Sequence, residues 1–495
     1  MNLFYKSTRG GQEDIAASAA IIQGIATDGG LFVPETIPIL QESLENLQKL
    51  SYQELAYEIM KYFFTDFTEE ELRNCIQGAY DEKFDTFLIA PVVSTSKASF
   101  LELFHGPTLA FKDMALSILP YLLKTAVNKQ KIDKEVVILT ATSGDTGKAA
   151  LEGFANVEGT KIIVFFPEDG VSPVQKQQMV TQKGNNTYVI GIKGNFDDAQ
   201  NGVKAIFTDI VFQDQLLEKG YLFSSANSIN IGRLVPQIVY YFYGYFQMIQ
   251  QGNLILGEQM NVAVPTGNFG NILAAYYAKK MGLPIGKLLC ASNDNKVLYD
   301  FFETGIYDQK RDFMVTISPS MDILISSNLE RLLYHISGDD PTQVKMWMEQ
   351  LKTEGSYQLN EEMQEKLNNF YGGYATENAT RESMKDLFAK TSYLMDPHTA
   401  VGYEVYSQYQ SVSKDPRPTL IISTASPYKF TKSVMESIDN KYSQWDDFEL
   451  ITEMQNISKV QVPKTIQTLE KDEILHKTVC EVNEMKEAVA QILGV

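Results

Sequence analysis

The chain predicts an α/β protein with two parallel-sheet domains and a mainly helical N-terminal region, and three observations lead there. From about residue 97, continuous β-rich runs alternate with helical stretches: Val136-Val137-Ile138-Leu139, Lys161–Phe166 and Thr187–Ile192 are each followed by helix-forming sequence. Runs that are apolar on both faces belong to parallel strands covered by helices on either side. The alternation pauses through Leu234–Gln251, a helix dense in tyrosine and phenylalanine, and resumes with Asn261–Val264 and Leu288–Ser292. Small-residue loops join strand to helix twice, at 140–147 and at 265–271. The expected division is 1–95, an N-terminal helical region; 97–230, a smaller α/β domain; and 231–495, a larger α/β domain, with a cleft between the last two.

In the N-terminal region, Tyr5–Gly11 reads as a polar loop and Asp28–Pro34 as a turn into a short strand. Leu47–Phe64 puts Tyr52, Leu55, Ala56, Ile59, Met60 and Phe63 on one helical face. Ile15–Ala26 is apolar enough to suggest a signal-peptide core, but Glu13 and Asp14 precede it, so an amphipathic helix is expected. Met114–Leu119 reads as a buried helix, Pro173 opens the helix Val174–Thr181, and Phe196–Ile210 is another. Residues 340–390 are charged and helical, with Gly372-Gly373 breaking them. Thr419–Ile422 is a late strand, and the tail helix places Val482, Met485, Val489 and Ile492 on one face.

Composition narrows the function. With 495 residues, 44% hydrophobic and 21% charged, the chain has a globular make-up and room for a large core. A formal charge of −19 argues against nucleic acid, which needs a basic face to release counterions. No apolar run reaches the ~18–20 residues of a membrane span. Cys75, Cys290 and Cys480 are too far apart for a disulfide framework or a zinc spacing, and the four histidines form no His-x-x-x-His pair. The expectation is a cytoplasmic protein that acts on a small molecule, as a monomer or homodimer, without metal, nucleic acid or membrane.

Three stretches carry chemistry. Lys112, in His105-Gly106-Pro107-Thr108-Leu109-Ala110-Phe111-Lys112-Asp113, sits among apolar neighbours just after a Gly-Pro turn. Such a lysine either snorkels to water or, partly desolvated, loses pKa and forms a Schiff base with an aldehyde cofactor. Gly267-Asn268-Phe269-Gly270-Asn271 lies between strand and helix, where two glycines let successive N–H groups point into one concavity at a helix N-terminus, a phosphate cradle. It lacks the third glycine of a dinucleotide fingerprint, which disfavours a nicotinamide oxidoreductase. Ser143-Gly144-Asp145-Thr146-Gly147 is built the same way and suits a carboxylate. Comparison with a nucleotide P-loop fails, since that motif's first glycine falls on Thr142 and its hydroxyl residue on Ala149. Two anion cradles and a semi-buried lysine are the equipment of a pyridoxal phosphate enzyme.

With those residues in hand, the chain resembles the longer form of the threonine synthase family through most of its length. The resemblance rests on Ser7-Thr8-Arg9-Gly10, Asp28–Pro34, Phe104–Asp113, Thr140–Gly147, Asn227–Asn230, Pro265–Asn271, Ser318–Ile323, Gly373–Thr376, Asp396–Ala400 and Ser423-Thr424-Ala425, in that order. It implies the tryptophan-synthase-like fold of pyridoxal phosphate enzymes, with the cofactor between two α/β domains. It also implies conversion of O-phospho-L-homoserine and water to L-threonine and phosphate.

On the same basis Lys112 is the Schiff-base lysine and Gly267, Asn268, Phe269, Gly270 and Asn271 hold the cofactor phosphate. Thr424 meets the pyridine nitrogen, and Ser143, Gly144, Asp145 and Thr146 take the substrate carboxylate. Arg233 with Asn230 is assigned to the substrate phosphate, because a guanidinium grips a phosphate in bidentate fashion. His105 and Asp113 read as positioning groups and His398 as structural. Ser426 and Ile231-Gly232 depart from the family pattern. The runners-up are a related pyridoxal phosphate lyase, such as a threonine or serine dehydratase, and a catalytically dead homologue that only binds.

Overall fold

The computed structural model describes residues 2–142, 144–168, 171 and 173–495. Two sheets organise it. The larger has six strands in the order Phe370–Tyr374, Ile285–Ser292, Met260–Pro265, Thr419–Ser423, Ser99–Glu102 and Val92–Ser94, parallel except for the last pair. The smaller has five, Thr478–Glu481, Thr187–Lys193, Thr160–Pro167, Glu135–Ala141 and Tyr221–Ser224, parallel throughout. Val262, Ala263, Ile163, Val164, Val137 and Leu139 are fully buried, as expected for strands covered on both faces.

The N-terminal region holds a small antiparallel sheet, Ile15–Ala16, Phe4–Ser7 and Phe32–Pro34, and the helix Ala17–Gln23 lies between its last two strands along the chain. The helix Tyr52–Met60 starts at a Ser51–Glu54 capping box, in which each side chain takes the other's backbone N–H, an arrangement worth about 1 kcal/mol. All six residues expected on its apolar face are buried. Tyr52 meets Tyr243 edge to face at 5.2 Å, which docks this region on the aromatic helix Pro236–Gln250.

Strand pairing crosses the chain division expected from sequence. Ser99–Glu102 joins the six-stranded sheet rather than the strands that follow it in sequence, and Thr478–Glu481 closes the edge of the five-stranded sheet. Gly372 and Gly373 do not break a helix; they lie inside a buried strand. A Cβ on Gly372 would come within 2.9 Å of Phe302 Cβ, and one on Gly373 within 2.5 Å of Val405 Cγ1. Glycine is there because helices press on both faces of the strand. Met114–Leu119 is likewise not one helix: a single turn, Asp113–Leu116, gives way to Leu119–Lys129.

Candidate active site

The site residues follow the carboxyl ends of five parallel strands, the place where α/β sheets bind ligands. The loop after Ser99–Glu102 carries Lys112. It is strapped to the end of the neighbouring strand Thr419–Ser423: Leu103 N–H donates to Ser423 O (2.9 Å), Phe111 N–H to Thr424 O (2.8 Å), and Ser426 N–H to Leu109 O (3.0 Å). Asp113 braces the loop from inside, accepting the Thr108 N–H (2.8 Å) and hydroxyl (2.6 Å). Burial pushes the Asp113 carboxyl up to about 6 despite those bonds. His105 is clamped between Asp85 (2.6 Å from Nδ1) and Glu102 (2.9 Å from Nε2). Burial disfavours its cation, but the two carboxylates prevail and raise it to about 9.

Held this way, Lys112 points Nζ at Ser320 Oγ (3.2 Å), with Asp145 Oδ2 at 3.7 Å. Burial pulls the ammonium down to about 8; Asp145 opposes the shift, while Lys429 and Arg233 reinforce it. This is the semi-buried, depressed lysine that the sequence offered as one of two readings. Ser320 is fixed in turn by His398, whose Nε2 accepts the Ser320 N–H (3.2 Å). The ring proton therefore sits on Nδ1, donated to Asp396 at 2.6 Å.

Asp145, at the start of the helix Asp145–Phe154, is buried with both carboxylate oxygens engaged. Oδ1 meets Lys429 Nζ (3.0 Å) and Gln175 Nε2 (2.9 Å), and Oδ2 accepts from Ser320 Oγ (3.3 Å). Burial alone would raise this carboxyl. Lys429 first, then Lys112 and His398, hold it far below the usual carboxylate range. Lys429 Nζ also donates to Thr108 O (2.7 Å), so one buried ammonium ties the Lys112 loop to the start of that helix.

The glycine loop follows Met260–Pro265 and opens the helix Gly270–Met281. Phe269 takes a left-handed conformation (φ 63°) and buries its ring against Phe302 and Phe370 at 6.2 and 5.9 Å, so what it offers a ligand is backbone. Asn328 N–H and Nδ2 both donate to Asn268 O (3.1 and 2.9 Å), and Ser326 Oγ donates to Gly267 O (2.7 Å). A Cβ on Gly267 would lie 2.5 Å from Ser320 O. Asn271 Oδ1 accepts from Tyr240 (2.6 Å) and from Tyr241, whereas its Nδ2 is buried without a partner among the described residues. Thr424 is buried where its strand ends, with its N–H on Thr399 Oγ1 (3.3 Å).

The remaining sequence candidates divide. Arg233 is buried; one Nη donates to Ala226 O (2.9 Å), Nε has no partner among the described residues, and burial lowers the guanidinium to about 10. That is an arginine in want of an anion. Asn230 differs from expectation. Its Nδ2 donates to Ile21 O (2.9 Å) and Ser225 O (3.0 Å), and its Oδ1 caps Gly232 N–H (2.9 Å), so the side chain braces the turn and has nothing left for a phosphate. Ser143 lies outside the described residues. Gly144 gives its N–H to Thr142 Oγ1 (3.0 Å), which also takes the Gly147 N–H (2.9 Å). Thr146 is half-buried beside Asp145. Ser426 accepts the Tyr428 N–H (3.3 Å) at the head of the turn that carries Lys429, and a side chain on Gly232 would strike Leu119 Cδ1 at 2.9 Å.

Sequence reasoning did not single out Lys429, Ser320, Gln175 or Thr142. Lys429 had one usable signal, a lysine just past a strand in Ser423-Thr424-Ala425-Ser426-Pro427-Tyr428-Lys429. The other three are ordinary polar residues that only the fold brings to Lys112 and Asp145.

Comparison with known proteins agrees with this geometry. Family models described as "Threonine synthase N terminus", "Pyridoxal-phosphate dependent enzyme" and "Threonine synthase, C-terminal" match residues 4–80, 100–424 and 399–480. Threonine synthase of Saccharomyces cerevisiae is 36% identical, over 88% of this chain and 89% of its own. Threonine synthase-like 1 of Pongo abelii is 40% identical over 87% of this chain, but the match spans only 59% of that longer protein. The solved structure of pyridoxal-phosphate-bound threonine synthase from Brucella melitensis superimposes with a TM-score of 0.87 at 34% identity, covering 99% of this chain and 98% of that one. Strand order, the braced lysine and these matches along its length agree: the chain belongs to the threonine synthase family of pyridoxal-phosphate-dependent enzymes.

Proposed function

We propose that this protein converts O-phospho-L-homoserine and water to L-threonine and phosphate with pyridoxal 5'-phosphate. The observation that carries the reading is the set of unmet anion donors around a depressed lysine. Among the described residues, Asn271 Nδ2 in the glycine loop and Arg233 Nε are buried without acceptors, and Lys112 stands at about 8. Buried donors left without partners cost about 1–3 kcal/mol each; the cofactor phosphate would answer the first and the substrate phosphate the second. The cofactor fits on this ground: a helix-start loop with a spare buried donor for its phosphate, and a lysine for its aldehyde.

When bound, the cofactor supplies an electron-accepting ring for charge developed on the substrate. Everything else falls to the chain. Lys112 Nζ would hold the cofactor aldehyde and, once free as an amine, would take the proton from the substrate's α-carbon. Ser320 Oγ, within hydrogen-bond reach of Nζ, would orient the freed amine. Thr424 would meet the ring nitrogen with a neutral hydroxyl, which cannot hold a proton there as a carboxylate would. Arg233 would orient the substrate phosphate, and the N-terminal end of Asp145–Phe154 would receive the substrate carboxylate. Asp113 and His105 keep the loop in place and touch no reacting atom. Three separate free thiols support a reducing, cytoplasmic setting.

The test is an assay of the purified protein with O-phosphohomoserine, following phosphate and threonine together, alongside the visible absorbance of the lysine-bound cofactor. Stoichiometric release of both products and loss of the absorbance in Lys112→Ala are expected. Ammonia from threonine with no phosphate product would make the protein a dehydratase. Absence of both absorbance and activity would make it a binding homologue.

A further inference from the structure

Lys429 is the best-buried ammonium near the site, its side chain fully enclosed, and neither the glycine loop nor the expected substrate contacts account for it. It reaches across from the turn Pro427–Phe430, at the end of the six-stranded sheet, to Asp145 at the end of the five-stranded one. Asp145 thus faces two lysines, Lys429 at 3.0 Å and Lys112 at 3.7 Å, and the nearer takes the larger share of its charge. We propose that Lys429 and Asp145 are positioning residues that set the charge on Lys112: Lys429 claims the Asp145 carboxylate and so leaves Lys112 an uncharged amine able to take up the cofactor aldehyde. The Asp145 side chain, its oxygens engaged, then serves as a counter-ion and not as a ligand of the substrate carboxylate.

The chemistry needs that charge state. The lone pair of the neutral amine adds to the aldehyde carbon, and the two amine protons leave with the carbonyl oxygen as water. A carbon–nitrogen double bond remains, and nothing is oxidised or reduced. An ammonium has no lone pair to give. Among the described residues, five titratable groups surround the Lys429–Asp145 pair: Lys112, Arg233, His398, Asp113 and Glu152. Lys112 faces Asp145, Lys429 and Arg233; Asp145 faces Lys429, Lys112 and His398; Asp113, which also feels Glu152, lies within the field of Lys429. With Asp145 removed, the charges left facing Lys112 are cationic. With Lys429 removed, the carboxylate turns wholly to Lys112.

The inference rests on Lys112 being the cofactor lysine, and its test separates the two. The rate at which cofactor-stripped protein captures pyridoxal 5'-phosphate is followed by stopped-flow absorbance across pH. In the unaltered protein the rate rises with pH through the Lys112 midpoint. Lys429→Met is expected to move that midpoint alkaline by about one unit, a roughly tenfold slower capture at neutral pH, and Asp145→Asn to move it acid by a similar amount. Lys429→Arg keeps the charge and should stay close to the unaltered profile. Opposite shifts support the pair. Shifts in one direction, or none, overturn it, because loss of a merely structural contact cannot move the two variants apart. Should Lys429→Met fail to fold, Asp145→Asn decides alone: an acid shift supports the proposal and an unmoved midpoint overturns it. If Lys112→Ala captures cofactor as the unaltered protein does, it is the lysine assignment that has failed.

Discussion

The two sheets contribute to the site in different ways. The six-stranded sheet presents a rigid frame: the glycine loop is held from behind by Asn328 and Ser326, the Lys112 loop is strapped to Ser423–Ser426, and Asn271 is pinned by two tyrosines. The five-stranded sheet presents charge, in a carboxylate whose neighbours are two lysines, a glutamine and a serine. A phosphate needs backbone amides fixed in advance, because their value is lost if the loop must reorganise on binding. A proton-transferring lysine needs a tuned field, which side-chain charges supply at longer range.

Four substitutions probe that contrast, taken from the largest effect down. Lys112→Ala removes the group both sides serve; turnover should fall on the order of a thousandfold or more with little change in melting temperature. Arg233→Met should weaken substrate binding by about 2–5 kcal/mol, seen as a raised KM in steady-state kinetics, while cofactor retention is unchanged. Within the rigid frame, Gly267→Ala puts a methyl 2.5 Å from Ser320 O and should cost about 1–3 kcal/mol of stability and much of the cofactor affinity. Gly270→Ala meets its nearest neighbour, Asn328 Nδ2, only at 3.5 Å, so the fold should tolerate it; equal losses of stability in both, measured by thermal melts, would refute the steric account.

A further small effect concerns His105. Its folded pKa, about 9, exceeds the ordinary ~6.5, so its charge stabilises the fold fully below pH ~6.5 and that contribution disappears as pH rises through 9. His105→Gln should therefore cost about 1 kcal/mol in denaturant melts at pH 6, allowing for the exposure of Asp85, and progressively less as pH rises from ~6.5 towards 9. A penalty that grows with pH would show that the clamp is not ionic.

The sequence reveals strands where apolar runs are continuous, as in Lys161–Phe166, and reveals the glycine loop and Lys112 because their residue types are unusual for their surroundings. It conceals Phe370–Tyr374, whose two glycines mimic a break while serving close packing. It also conceals the sheet to which Ser99–Glu102 belongs, since parallel order is set by crossovers and not by chain order. In the site, Arg233 is legible as a cation near a helix start. Asn230 is misread because an amide that caps a turn looks the same in sequence as one that waits for a ligand. Lys429 is hard to see because its importance lies in a contact with Asp145, on the other sheet.

The strand Thr478–Glu481 closes the outer edge of the five-stranded sheet, and Glu481 pairs with Lys193 at 2.8 Å across 288 residues of chain. During synthesis this edge therefore waits for a segment 288 residues further along the chain. Until then Thr187–Lys193 offers open hydrogen-bonding groups to any passing strand, a template for aggregation. A product truncated before Thr478 would keep every residue of the active site and still be the form of the protein most prone to precipitate.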